Sequence, residues 1–124
     1  MIVTELNPKG HFENWDKKKL KEIKENGFND KLGNILHEDE QCILYDIVLK
    51  PKERLPFRNH QNDCSCTSLT DGLLLSRNTN GQIALIRIEK GRCFYWKSKE
   101  GEMVHDLENI GENTVILKIL EIKR

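Results

Sequence analysis

Two histidines stand out as candidates for chemistry. His60 lies in PKERLPFRNHQNDCSCTSLTDG, Pro51 to Gly72, which reads as strand, turn and strand; His105 lies 45 residues further on, in GEMVHDLENIG, Gly101 to Gly111. An imidazole can bind a metal, accept a proton or donate one near neutral pH. Arg58 is two residues before His60, so on a strand the two share a face. Its planar guanidinium is suited to a carboxylate or a phosphate, with His60 and His105 adding donors or a proton-transfer group. Cys64 and Cys66 share a side by the same spacing. Buried small apolar residues are the expected role of the cysteines, which form no CxxC pair. In RCFYWK, Phe94 and Trp96 take one face and Tyr95 the other; either side can wall a pocket, and plain core packing is the commoner use. His11 and His37 fall outside these stretches and are expected to have no catalytic role.

The elements that must position these residues are mostly strands. Residues 1–6 read as a short strand closed by the turn Asn7-Pro8-Lys9-Gly10. A helix follows, with Asn14 as cap, Trp15, Leu20 and Ile23 on a common face and Gly27 at its end. It is expected to brace a sheet through Trp15, Leu20, Ile23 and Phe28, and the lysine run Lys17–Lys19 reads as its solvated side. From Gly33 the period becomes strand-like: 33–37, 41–49, 55–60, 64–69, 72–77, 82–88, 92–97, 103–107 and 114–123. Asn78-Thr79-Asn80-Gly81 is a hairpin turn between GLLLSR and QIALIRI, and Asn109 with Gly111 shapes the turn after His105. Nine or ten short strands joined by polar turns specify an all-β sandwich or barrel.

Composition bounds the rest. The 124 residues make a single domain, with residues 1–32 as a strand and helix packed on a barrel of residues 33–124. Lys plus Arg equals Asp plus Glu at 20 each, so no global field draws the chain to nucleic acid or to an acidic membrane. No apolar run approaches the ~20 residues of a membrane span, and the N-terminal stretch lacks the pattern of a secretory signal. A cytoplasmic location is expected. QCILYDIVL and TVILKILEIK are apolar on both faces, which suits strands inside a sandwich or at a symmetric homodimer interface.

The segment Ile47–Gly72 resembles the first motif of the cupins, which runs glycine, five residues, His-x-His, a glutamate four or five residues on and a closing glycine. Gly91, His105 and Asn109 resemble the second, and HDLENIGENTVILKILEIK is similar to the end of a small bacterial single-domain subgroup. The likeness covers about residues 33–123. It implies a double-stranded β-helix, a jelly-roll barrel, with one short N-terminal helix. It also implies one divalent metal (zinc, iron, manganese or nickel) on two histidines, a glutamate and a later histidine. Carried over by position, the motif's first glycine is Lys52, its first histidine Arg58, its second His60, its glutamate Cys64 or Ser65, its closing glycine Gly72 and its last histidine His105. Two of the four implied ligands are present, and Arg58 sets a fixed positive charge beside them. A thiolate from Cys64, with Cys66 or Asp63 as further donors, would make a His60/His105/Cys64 set for a softer metal.

Three functions stand open at this level. One is a barrel that binds a small anionic or sugar-like ligand at Arg58, His60, His105 and Trp96, with metal binding weakened or lost. Another is an enzyme, either a metal-dependent dioxygenase or isomerase or a metal-free epimerase with a histidine base. The last is a packed structural or interaction protein.

Overall fold

The computed structural model describes residues 2–6, 19, 33–60, 62–79, 81–96 and 103–123. The helix expected from Asn14 to Gly27 lies outside these residues, apart from Lys19, which is helical. The described residues form ten strands: β1 Ile2–Glu5, β2 Asn34–Glu38, β3 Cys42–Leu49, β4 Arg54–His60, β5 Asp63–Ser68, β6 Gly72–Arg77, β7 Ile83–Ile88, β8 Cys93–Trp96, β9 Met103–Asn109 and β10 Val115–Ile122. They lie close to the expected bounds, the main difference being β9, which continues past Leu107 to Asn109.

All pairings are antiparallel and build two five-stranded sheets, β1-β7-β6-β9-β4 and β2-β3-β10-β5-β8. The last strand of the chain therefore lies at the centre of the second sheet, between β3 and β5. Its alternation shows why: Val115, Leu117, Ile119 and Glu121 are buried, while the residues between them are partly or well exposed. The core lies between the sheets and contains Tyr45, Ile47, Leu49, Leu74, Ile88, Val115, Leu117, Ile119, Cys64 and Cys66. Both β5 cysteines thus take the expected packing role, whereas Cys93 is exposed and Cys42 only partly buried.

Turn chemistry fixes the ends. Gly81, at φ +94°, closes the β6–β7 hairpin by donating its N–H to Asn78 O at 2.9 Å. Gly72 is required by closeness of packing instead, because a Cβ there would lie 2.5 Å from Val115 Cγ2. Between β3 and β4, Glu53 N donates to Lys50 O at 3.0 Å, with Pro51 second and Lys52 third in the turn. Lys52 holds φ +73°, the left-handed conformation that this type II arrangement normally gives to glycine. At the end of β9, Asn109 is fully buried and ties three segments together. Its Nδ2 donates to Leu49 O and Asn113 O at 2.8 Å each, and its Oδ1 accepts from Gly111 N at 2.9 Å.

Outside the barrel, Asp106 anchors an ionic clasp over β4, β6 and β9. It accepts from Arg54 Nε at 2.6 Å, Arg77 Nη1 at 2.9 Å and Arg77 N at 2.7 Å, while Arg77 Nη2 reaches Glu108 at 2.8 Å. Arg54 also lies over the ring of the buried Phe57, 5.1 Å from its centroid.

Candidate functional site

β4 and β9 bring the two motif stretches side by side. Arg58 faces His105 in register, and His60 faces Met103. A bulge sits between Leu55 and Arg58: three steps on β4 are matched by two on β9, where Leu107 and His105 are the partners. The extra residue lets Leu55 and Arg58 both turn inward, where simple alternation would have sent one of them outside.

Arg58 is 3% exposed and crosses to the second sheet, where its Nη2 meets Glu121 Oε1 at 3.5 Å. Glu121 is itself 4% exposed. Asn62 Nδ2 approaches the same oxygen at 3.4 Å, and the buried Tyr45 hydroxyl is bonded to Glu121. Burial, then the charge of Glu121, pushes the Tyr45 hydroxyl up to about 12, so it remains a neutral donor. The guanidinium expected to await an anion is therefore already faced by a carboxylate inside the barrel.

His105 Nδ1 lies 3.1 Å from Asp106 O and 3.2 Å from Ser76 Oγ. A carbonyl can only accept, so Nδ1 carries the ring proton and Nε2 holds the lone pair of the neutral ring. Burial lowers the His105 pKa, and the positive charge of Arg58 adds to this against the raising effect of the Asp106 carbonyl. The residue is thereby kept as a neutral imidazole.

Cys64 lies directly opposite Glu121 on β10, and Trp96 faces Cys64 across β5 and β8. Burial, followed by Glu121, pushes the Cys64 thiol up to about 11; burial takes Cys66 to about 12. Asp63, also buried, accepts from Tyr95 Oη at 3.1 Å. The side chains of His60 and Trp96 lie outside the described residues, so only their backbone register is placed.

As a donor set for the metal that the motifs imply, these residues fit poorly. A permanent cation takes one ligand position, and burial with the charge of Glu121 raises the cost of ionising the thiol at another. The carboxylate in the region, Glu121, faces that cation at 3.5 Å.

Reading the sequence missed Glu121, Tyr45 and Ser76 as members of this interior group. The period of β10 would have found Glu121, because the parity that buries Val115, Leu117 and Ile119 carries it inward too. Ser76 takes the same inward parity as Leu74 on β6.

The chain has the cupin-type double-stranded β-helix fold. It is similar to a cupin domain from Bordetella pertussis Tohama I, with TM-score 0.66 and 15% identity over 78% of this chain and 97% of that one. A double-stranded β-helix domain from Klebsiella pneumoniae matches with TM-score 0.57 and 15% identity, covering 81% of this chain and 85% of that one. A cupin domain from Schizosaccharomyces pombe matches with TM-score 0.56 and 16% identity, covering 79% and 70%. No family model matches the sequence, and no curated protein does. Identities this low carry the fold alone. Among the described residues no helix is long and apolar enough to cross a membrane.

Proposed function

We propose that the barrel is a binding module for a small polar, sugar-like ligand, with the Arg58–Glu121 pair taking the part that a metal plays in the motifs it resembles. The buried ion pair carries this reading. Glu121 answers the charge of Arg58 internally, which removes most of the attraction for a bare anion while leaving a planar donor and a planar acceptor together. Vicinal hydroxyl groups suit such a mixture, and the Tyr45 hydroxyl, Ser76 and the neutral His105 add further donors and acceptors nearby.

The test is calorimetric titration with neutral sugars, sugar phosphates and small carboxylates. Saturable binding of a neutral sugar is expected, weakened at least about tenfold, or ~1.4 kcal/mol, by Tyr45→Phe in a variant that stays folded by circular dichroism. If only charged ligands bind, and Tyr45→Phe leaves their affinity unchanged, the reading fails.

A symmetric homodimer is the second part of the proposal. Leu44, Val48, Ile116, Leu120 and Ile122 form the outward parity of β3 and β10, and Val48, Leu120 and Ile122 are 44%, 38% and 40% exposed. Leu120 faces Leu44 and Ile116 faces Val48, with the pair Lys118–Asp46 between them, so two apolar patches flank one opposite-charge pair on this face, a pattern that suits a second copy related by a two-fold axis. Light scattering should give twice the chain mass for the native protein and the single mass for Leu120→Lys. Cys42, Cys64, Cys66 and Cys93 are free thiols, which supports work in a reducing, cytoplasmic compartment.

A further inference from the structure

We propose that His37, Asp39 and Cys42 form a binding site for a zinc-type divalent metal ion on the outer surface of the β2–β3 hairpin. One ligand atom from each residue, an imidazole nitrogen, a carboxylate oxygen and a thiol sulfur, lies within 4.8 Å of the other two. It is the only group of at least three such ligands among the described residues.

The hairpin holds these donors in place. Asp39 Oδ1 accepts from Gln41 N at 2.7 Å and Cys42 N at 2.9 Å, leaving Oδ2 directed at His37 Nε2, 2.9 Å away. Asp39 N closes the turn on Cys42 O at 3.0 Å. The end of the chain pins the loop from the other side, with Lys123 N donating to Gln41 O at 2.9 Å and Lys123 Nζ meeting Glu38 at 2.9 Å.

The hydrogen between Nε2 and Oδ2 stands where the ion would go. On binding, the imidazole takes its other tautomer, with the ring hydrogen on Nδ1 and the Nε2 lone pair on the metal, and the thiol proton is released to solvent, so that three metal–ligand bonds form. A tetrahedral zinc site sets its donors ~3.3–3.8 Å apart, so the His37–Asp39 pair opens by a few tenths of an ångström while the sulfur draws closer. Imidazole and thiolate together select zinc or cobalt over magnesium or calcium. The fourth position is left to water, since His37 and Asp39 are exposed.

The experiment uses the full chain without a histidine tag, kept reduced, titrated first with Co²⁺ and then with Zn²⁺. One equivalent of Co²⁺ is expected, with a thiolate-to-cobalt charge-transfer band that zinc displaces. Cys42→Ser should abolish the band and His37→Ala should weaken binding at least about tenfold, while Cys93→Ser and His105→Gln leave both unchanged. His37 is exposed, so its variant keeps the result decisive if Cys42→Ser disturbs the hairpin. The proposal is overturned if no Co²⁺ binds up to ~100 μM, if the band survives Cys42→Ser, or if Cys93→Ser or His105→Gln removes it.

Discussion

Glu121→Gln tests the central feature of the barrel. The substitution keeps size and removes the charge that faces Arg58 at 3.5 Å, with both side chains at most 5% exposed. At that distance two unit charges attract by about 5 kcal/mol for an effective dielectric constant of about 20. Losing one partner of a buried pair costs about 3–5 kcal/mol, because the other charge is left without compensation. The separation is at the long end for a salt bridge, so we expect the lower end, about 3 kcal/mol. With roughly 2.1 cal/mol/K of unfolding entropy per residue, a 124-residue chain should lose about 12 °C in Tm.

The double variant Arg58→Met/Glu121→Leu separates stability from function. It removes both charges and fills the space with apolar groups, a change that is often neutral or stabilising. It should therefore recover the Tm lost by Glu121→Gln while failing to bind the sugar-like ligand. Urea unfolding monitored by circular dichroism gives the energies, and calorimetry gives the binding. A loss below about 1 kcal/mol for Glu121→Gln, the range of a surface pair, would refute the idea that this carboxylate compensates Arg58.

Three further outcomes follow from the geometry. Asp106→Asn should cost about 3 kcal/mol in urea unfolding, since it removes the charge that Arg54 and Arg77 share; the remaining Arg77–Glu108 pair and the 20% and 13% exposure of the arginines keep the loss at the low end. Lys52→Gly should stabilise by about 0.5–1 kcal/mol, because a left-handed non-glycine residue costs about 1–2 kcal/mol and glycine returns part of that as unfolded-state entropy. For His105 the folded protein lowers the pKa from 6.5, so the unfolded chain takes up the proton first as pH falls. Its contribution to stability is therefore complete above 6.5 and declines as pH drops towards the lowered value. His105→Gln should flatten the fall in Tm across that range, measured by scanning calorimetry.

Strand positions were legible because β-structure writes itself in period two and in turn residues, both local signals. The turn closed by Gly81 and the shared face of Cys64 and Cys66 follow from such signals alone. The interior pair was not read, although half of it lay within reach: the parity of VILKILEI places Glu121 inside. Its partner could not be inferred the same way, because Arg58 and Glu121 are 63 residues apart and in different sheets. The bulge at Leu55–Arg58 also hides the inward parity of β4, since an added residue changes the face of everything before it. Asp106 shows the same limit from the other side. Alternation with His105 and Leu107 sends it outward, where it meets arginines 52 and 29 residues away in the sequence.

The proposed metal cluster and the barrel pair meet at one end of the same sheet. Cys42 faces Ile122 in register, and the next pair along is Ile43 with Glu121. One step along a strand changes the face, so Cys42 belongs to the outer surface while Glu121 points into the barrel. The two sites share backbone but not environment: the first has exposed donors around a sharp turn, the second a desolvated ion pair beneath the sheet. Coupling between them would have to pass through movement of the β3–β10 ladder, whose pairing runs unbroken from Val115 to Ile122. Such a ladder resists small displacements of a surface ligand, which predicts that Cys42→Ser leaves sugar binding unchanged and Glu121→Gln leaves the cobalt band intact. A band lost in a folded Glu121→Gln variant would mean that the ion enters the barrel and that the hairpin assignment is wrong.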